Sequence, residues 1–463
     1  MAYFVTEKDR APQVTQEIEA DESLPRVCVI GAGSSGLTAA KSLYLAGVPF
    51  MCFEKGGEIG GNWLFHNSNG QSACYETLEI NTSCPRMAFS DFPMPANYPP
   101  YASHEQVYAY FNDYVEHFGF RHKITFNTEV LNVAPTADGK WQVDVSGPGG
   151  EQTHIFDAVM VANGHHWDKK WPEPAYPGEF NGTQIHAHDY RSADQLKGHD
   201  VLVVGAGNSA MDISVESARR ANSAHISIRR GQWILPKFAF GRPADQVALP
   251  GWMPWWVTGM RMRLGAFVAG GWKKHGLPKP PHSPGQGHPV LSDKIRGELE
   301  SGKLRVKPAI DRLDGDKVWF VDGTNVKADL IVWCTGYRIT FPFLAKELVN
   351  PEDNELPLWK RTVHPDLPGL YFIGLLQPIG AVMPLAEAQA AWVTQMLTGE
   401  YLPPAESVIR EQTMRDHERN KRQFYASPRH TMEVDFDHFL WDLARESKAG
   451  AKRAAQAQHK QAS

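Results

Sequence analysis

Apolar residues along this chain bunch into short β-rich runs set off by glycine, and one order of runs occurs twice. Val27-Cys28-Val29-Ile30 predicts a strand, and Gly31-Ala32-Gly33-Ser34-Ser35-Gly36 follows at once. Leu37 to Ala46 reads as a helix closed by Gly47, and Val48 to Phe53 predicts a second strand ending at Glu54. Farther on, Val201-Leu202-Val203-Val204 precedes Gly205-Ala206-Gly207-Asn208-Ser209-Ala210, a helical run, and a strand from His225 to Ile228 that meets Arg229-Arg230. A second pattern is also duplicated. Asp157-Ala-Val-Met-Val-Ala-Asn-Gly164 matches Asp329-Leu-Ile-Val-Trp-Cys-Thr-Gly336, each an acid, a buried strand and a closing glycine.

Strand, glycine turn, helix, strand and acid, in that order, make a dinucleotide-binding unit. Gly31 permits the tight turn, Gly33 lets backbone approach a pyrophosphate, and Gly36 lets the helix pack on the strand. Ser34 and Ser35 lie in the same turn, ahead of a helix whose free N–H groups face the phosphates. Glu54, 23 residues beyond Gly31, stands where a carboxylate accepts hydrogen bonds from ribose hydroxyls, which suits FAD. In the second unit Arg229 holds that place, 24 residues beyond Gly205, with Arg230 beside it. A guanidinium binds a 2′-phosphate that a carboxylate would repel, which suits NADPH. The plainer alternative is a solvated arginine pair at a strand end.

Two units with parallel internal timing predict an α/β protein with two dinucleotide-binding (Rossmann-like) domains, the NADPH domain inserted into the FAD domain. The FAD domain is expected at 24–167 and 337–445 and the NADPH domain at 168–336. An N-terminal extension covers 1–23, and a flexible tail covers 446–463. The 463 residues allow about three domains at roughly 150 residues each. With 47 basic against 52 acidic residues the formal charge is −5, which argues against a nucleic-acid-holding protein. Five cysteines with no C-x-x-C pair argue against a disulfide framework or a zinc ribbon. An acidic N-terminus and the lack of any run of ~18 apolar residues predict neither signal peptide nor transmembrane segment, and so a cytoplasmic location. His165-His166 and His186-x-His188 lack the companions of a metal site, and no metal is expected.

Phe180-x-Gly182-x-x-x-His186-x-x-x-Tyr190 lies just before the second glycine turn. With this motif the chain resembles the flavin-containing monooxygenases, a branch of the class B flavoprotein monooxygenases. The related Baeyer–Villiger enzymes usually end the motif in Trp, so Tyr190 favours the first branch. Glu54 to Trp63, Asn81 to Pro95 and Tyr371 to Trp392 carry the resemblance over about residues 25 to 395. It implies that Asn62 and Trp63 line the flavin. Asn81 would sit by the isoalloxazine ring and the nicotinamide, Thr82 would touch FAD, and Gln377 would approach the ring from the other lobe. Gly205, Gly207, Asn208, Ser209 and Arg229 would receive NADPH, with Arg230 able to contribute. His186 reads as a hinge or packing residue between lobes, not as an acid or base.

The implied chemistry is NADPH-dependent reduction of FAD, then reaction with molecular oxygen to a C4a-(hydro)peroxyflavin. Asn81 can donate one hydrogen bond and accept another without changing charge, which suits a stabiliser of that adduct. A neutral hydroperoxide oxygenates amine nitrogen or sulfide sulfur, an N,N-dimethylaniline monooxygenase-like activity. Ketone oxidation needs the peroxyanion and usually a nearby Arg, and Arg86 follows Asn81 closely. The extension of about 24 residues before the first strand occurs in a subgroup with ketone activity and use of NADH beside NADPH. A non-catalytic flavin- and NADPH-binding redox protein remains a further alternative. So does a disulfide reductase, although Cys74 and Cys84 lack the close pairing it needs.

The aromatic stretch Trp252 to Trp272 suits a channel wall, a subunit contact, a membrane-surface patch or plain packing. Pro278 to Pro289 reads as an irregular surface loop. Phe436, Phe439, Leu440 and Leu443 predict an amphipathic helix over Val434–Arg445, with Lys448 to Lys460 frayed beyond it. Large flavoproteins of this type are often homodimers.

Overall fold

The short apolar runs become strands buried along their length, as parallel sheets covered on both faces require. The computed structural model describes residues 3–239, 241–246, 252–253, 255–268, 276–425 and 431–462. β1 (Val27–Ile30) leads into α1 (Ser34–Leu45) and returns as β2 (Phe50–Phe53), and β3 (Ile124–Thr125) and β4 (Ala158–Val161) extend this first sheet. A second sheet takes β5 (Thr183–His186), β6 (Asp200–Val204), β7 (Ser223–Ser227), β8 (Leu304–Lys307) and β9 (Leu330–Trp333). Its helix α2 (Asn208–Arg220) joins β6 to β7. The chain then rejoins the first sheet as β10 (Leu370–Phe372) and ends with α3 (Met383–Leu397) and α4 (Phe436–Ala462). The strand orders are β10-β4-β1-β2-β3 and β5-β9-β6-β7-β8, all parallel, so each glycine turn leaves the central strand.

The two sheets share their joints. Gly31 N–H donates to Phe53 O (2.8 Å) and Gly205 N–H to Ser227 O (3.0 Å). Ala162 N–H reaches Ile30 O (3.0 Å), and Cys334 N–H reaches Val204 O (2.8 Å). The duplicated acid also has one job. Asp157 Oδ2 accepts from Arg26 N–H (2.8 Å) and Asp329 Oδ1 from Asp200 N–H (3.0 Å), each satisfying a donor at the start of the central strand. Beyond Gly164 and Gly336 the chain passes between the sheets twice, and Asp168–Lys169 pairs antiparallel with Tyr337–Arg338 as a short ribbon.

Helices α1 and α3 pack on one another over the first sheet. Between them Lys41 Nζ meets Asp91 (2.7 Å) and Glu387 (3.2 Å), and Glu387 also accepts from Ser90 N–H (2.6 Å). Lys41 and Glu387 are buried, so removing Lys41 leaves the Glu387 carboxylate uncompensated at a cost of about 3–5 kcal/mol. The N-terminal extension lies along the same lobe. Tyr3 donates to Ala88 O (2.7 Å), Val5 N–H to Pro85 O (2.9 Å) and Val14 N–H to His117 O (3.0 Å).

The expected flexible tail is corrected. The predicted short helix starts at Phe436, after the strand Glu433–Asp435, and runs unbroken to Ala462. It is pinned at Tyr401, whose hydroxyl donates to Glu446 (2.8 Å), while Arg453 binds Glu446 (2.6 Å) and Leu402 O (2.8 Å). Gly450 makes this docking possible, since a Cβ there would lie 1.9 Å from the Tyr401 ring. Composition suggested fraying, but this tertiary contact overrides it. The Pro278–Pro289 segment is irregular as expected, yet His282 is buried rather than on the surface. Part of the aromatic stretch forms a helix, Trp255–Val268, with Trp252 and Trp256 exposed, and the rest lies outside the described residues. No described helix is long and apolar enough to cross a membrane.

His225 sits buried on β7, where burial and then Lys307 and Arg305 push its pKa from 6.5 down to about 4. The unfolded chain takes up that proton first, so the stability this neutral ring contributes is lost as pH falls from 6.5 through about 4. The thermal midpoint of His225→Gln is expected to fall less steeply over this range than that of the parent. Equal slopes by calorimetry would refute it.

Candidate functional site

A cleft of about 1300 Å3 opens at the carboxyl ends of both sheets, and both glycine turns line it. From the first sheet come Gly31, Gly33, Ser34 and Ser35, with Glu54 at the end of β2. Asn62 and Trp63, in the single turn Gly61–Trp63, and then Asn81 and Thr82 continue the wall. Gln377 faces them from a strand, Gln377–Ile379, that pairs with Glu433–Asp435. The second sheet contributes Gly205, Gly207, Asn208 and Ser209, and Arg229 and Arg230 stand exposed just beyond β7. Gly36 alone among the expected residues lies behind the wall, against Gly31 O.

The two turns fit nucleotide phosphates for a steric reason. Gly31 has φ +99° and Gly205 φ +143°, and a Cβ on either would lie 2.8 Å from Ala162 O or 2.4 Å from Cys334 O. Each turn is thus pressed onto the end of the neighbouring strand. The helices behind the turns have Gly33 and Gly207 as their caps, and among the described residues no side chain caps their first N–H groups. Those donors face the cleft where a pyrophosphate would need them.

Glu54 does more than the ribose reading asked of it. Its carboxylate accepts from Ala32 N–H (2.7 Å), Gly56 N–H (2.7 Å) and Asn69 Nδ2 (3.1 Å), stapling the first turn to β2. An ionised carboxylate offers about four acceptor positions, so one remains for a hydroxyl. Asn62 is likewise fixed, accepting from Ala73 N–H (2.8 Å). Asn81 differs, because among the described residues its side-chain amide has no hydrogen-bond partner. A donor and an acceptor in the cleft wall are therefore left for a ligand.

Sequence reasoning missed how the Asn81 segment is held. Tyr75 donates to Asp212 on α2 (2.6 Å), and Thr77 donates to Glu216 one turn along. Tyr190 of the motif donates to the same Glu216. Arg191 binds Ser72 O (3.1 Å) and Cys74 O (3.3 Å). Burial pushes the Asp212 carboxyl up to about 6. Asp212 and Glu216 lie four apart on one helix face, the one signal available, but such a pair usually marks a solvated surface.

His186 packs where the ribbon meets the second sheet. Its Nε2 lies 3.1 Å from Gly336 O, its ring meets Tyr337 edge-on, and burial pushes its pKa down to about 4. Arg86 is absent from the cleft wall. It is buried, bound to Asp437 through two nitrogens (2.9 and 3.2 Å), and lies over the Phe436 ring. Cys74 and Cys84 are free and buried, and burial pushes Cys74 up to about 12, the reverse of an exchange-active thiol.

A family model described as flavin-binding monooxygenase-like matches residues 25–454. The chain belongs to this family. The flavin monooxygenase is 33% identical over 442 residues to flavin-containing monooxygenase 5 of Mus musculus, covering 90% of this chain and 82% of that protein. It is 34% identical over 453 residues to flavin-containing monooxygenase 2 of Homo sapiens, covering 92% and 83%. Among solved structures it is similar to S-allyl-L-cysteine S-oxygenase from Allium sativum, with TM-score 0.68, 26% identity, and 94% and 93% of the two chains covered. Cyclohexanone monooxygenase shares the α/β fold, with TM-score 0.69, 15% identity, and 92% and 98% covered. As a family member the protein is an NADPH-dependent flavin monooxygenase, with FAD and NADPH as cofactors and dioxygen and a small molecule as substrates.

A Cβ on Gly36 would lie 1.8 Å from Gly31 O, which is backbone and cannot step aside. Gly36→Ala is expected to purify with at least about tenfold less FAD than the parent, read by visible absorbance. Full flavin content would refute the cradle.

Proposed function

We propose that this flavin monooxygenase oxygenates soft nucleophiles, amine nitrogen or sulfide sulfur, with Asn81 as the protein group beside the reacting ring. In this reading the glycine turns belong to two Rossmann-like domains, FAD on 24–167 with 337–445 and NADPH on the inserted 168–336. When bound, FAD supplies hydride acceptance from NADPH and transfer of one oxygen atom to substrate. The observation that carries the reading is the uncommitted Asn81 amide in a wall shared by both turns. Its N–H can donate to oxygen and its carbonyl can accept from the nicotinamide amide, holding both without a charge that titrates. Trp63, Met87, Leu376 and Val382 give the same wall an apolar surface that excludes water.

Heteroatom oxygenation is favoured over ketone oxidation by the position of Arg86. The cation nearest Asn81 in sequence is committed to Asp437 and lies outside the cleft wall, so it is not placed to assist ketone oxidation. Relatives named as an N-oxide-forming dimethylaniline monooxygenase and an S-oxygenase support the same substrate class. Arg229 and Arg230 are proposed to bind the 2′-phosphate of NADPH, and NADH then serves less well.

Asn81→Ala is expected to keep consuming NADPH while releasing about tenfold more hydrogen peroxide per product formed. Unchanged coupling with a thioether substrate would remove Asn81 from the reaction. Arg229→Ala is expected to raise KM for NADPH about tenfold and leave that for NADH within about twofold. Equal effects on both would sink the phosphate role. Turnover of a thioether or tertiary amine without turnover of a cyclic ketone completes the assignment, and the reverse pattern overturns it.

A further inference from the structure

We infer that Lys237 and Asp245, two residues outside the cleft wall, form a clamp that positions Asn81. The inference rests on the role given to Asn81 above. An amide with no side-chain partner of its own is placed entirely by the backbone that carries it. That backbone is gripped on both flanks by one small hairpin of the second lobe. Ahead of Asn81, Lys237 Nζ donates to Ile80 O (3.3 Å) and pairs with Glu79 (2.8 Å). Behind it, Asp245 Oδ2 accepts from Ser83 N–H (2.7 Å).

The hairpin itself is well braced. Phe238–Ala239 pairs with Arg242–Pro243, and Ala244 N–H closes onto Lys237 O (2.8 Å). Lys237 N–H donates to Asp293 (3.0 Å). Tyr101 of the first lobe donates to Lys237 O (2.5 Å), and its ring lies 4.9 Å from the Lys237 ammonium. Lys237 is thus a buried cation, 8% exposed, enclosed by Glu79, a carbonyl and an aromatic face. So costly a burial is repaid only by well-made contacts, and both polar contacts of the ammonium, to Glu79 and to Ile80 O, fall on the residues just ahead of Asn81.

Neither residue reaches the cleft, so neither touches cofactor or substrate. Both are positioning residues. Their effect is to tie the oxygen-side amide to the lobe that carries Arg229. The amide is then in place only when that lobe is docked.

The test uses the full-length holoenzyme and four variants, Lys237→Met, Lys237→Arg, Asp245→Ala and Asp245→Asn, beside Asn81→Ala. Lys237→Met removes the cation but leaves Glu79, which is exposed enough to rehydrate, and Asp245→Asn keeps an acceptor for Ser83 N–H. Lys237→Met and Asp245→Ala are expected to release about threefold or more extra hydrogen peroxide per NADPH, with FAD content unchanged. The conservative variants Lys237→Arg and Asp245→Asn are expected to recover coupling. A readout independent of turnover is amide deuterium exchange. Residues 78–84 are expected to exchange about tenfold faster in Lys237→Met and Asp245→Ala, while α2 stays protected.

Adding Lys237→Met to Asn81→Ala is expected to bring no further uncoupling, because the clamp acts through that amide. Additive uncoupling, no change in exchange over 78–84, or wild-type coupling in both Lys237→Met and Asp245→Ala would overturn the clamp. If Asn81→Ala itself remained coupled, the Asn81 role and the clamp would fall together. If only Asn81→Ala uncoupled, the clamp alone would fall.

Discussion

Two backbone contacts govern the molecule, Gly31 against Ala162 and Gly205 against Cys334. In both places a turn lies so close to the neighbouring strand that no side chain fits. That closeness lets each central strand stop abruptly and aims the first turn of the following helix into a common cleft. The duplicated acids Asp157 and Asp329 anchor the start of the same central strands, so each strand is fixed at both ends. Sheet order, helix direction and the site all follow from this paired joint.

The segment from Ser72 to Ser83 has a divided allegiance. By covalent order it belongs to the first sheet, yet Asp212, Glu216, Arg191, Lys237 and Asp245 of the second lobe hold much of its length. The wall that carries Asn81 and the second sheet therefore share a support. The motif's Tyr190 belongs to that support through Glu216, which gives it a mechanical job.

Much of this was legible because backbone geometry dictates residue type locally. A turn that tolerates no Cβ must be written in glycine, and a fully buried strand must be written in continuous apolar residues. The central strands, both turns and the helices behind them could therefore be placed from spacing, whereas Asn62, Trp63, Asn81, Thr82 and Gln377 came only from the family resemblance. What stayed hidden depended on contacts between distant segments. Asp212 and Glu216 have the four-residue spacing of an ordinary solvated face, and Lys237 carries no local pattern at all. The C-terminal residues read as frayed because their composition is polar, whereas Gly450 against the Tyr401 ring docks them as a helix. Glu54 lies at the end of β2 in the cleft wall, but its bonds to Ala32 and Gly56 could not be seen from spacing alone.

The ribbon of Asp168–Lys169 and Tyr337–Arg338 bears on how such a molecule can be rebuilt. Entry and exit of the second sheet run side by side, held at that point by His186 and Gly336. A chimaera cut at these neighbouring strands would exchange the whole second-sheet half as a cassette through a single seam. Compatibility of donor and host would then be decided by side chains along the shared strap, not by matching loop lengths.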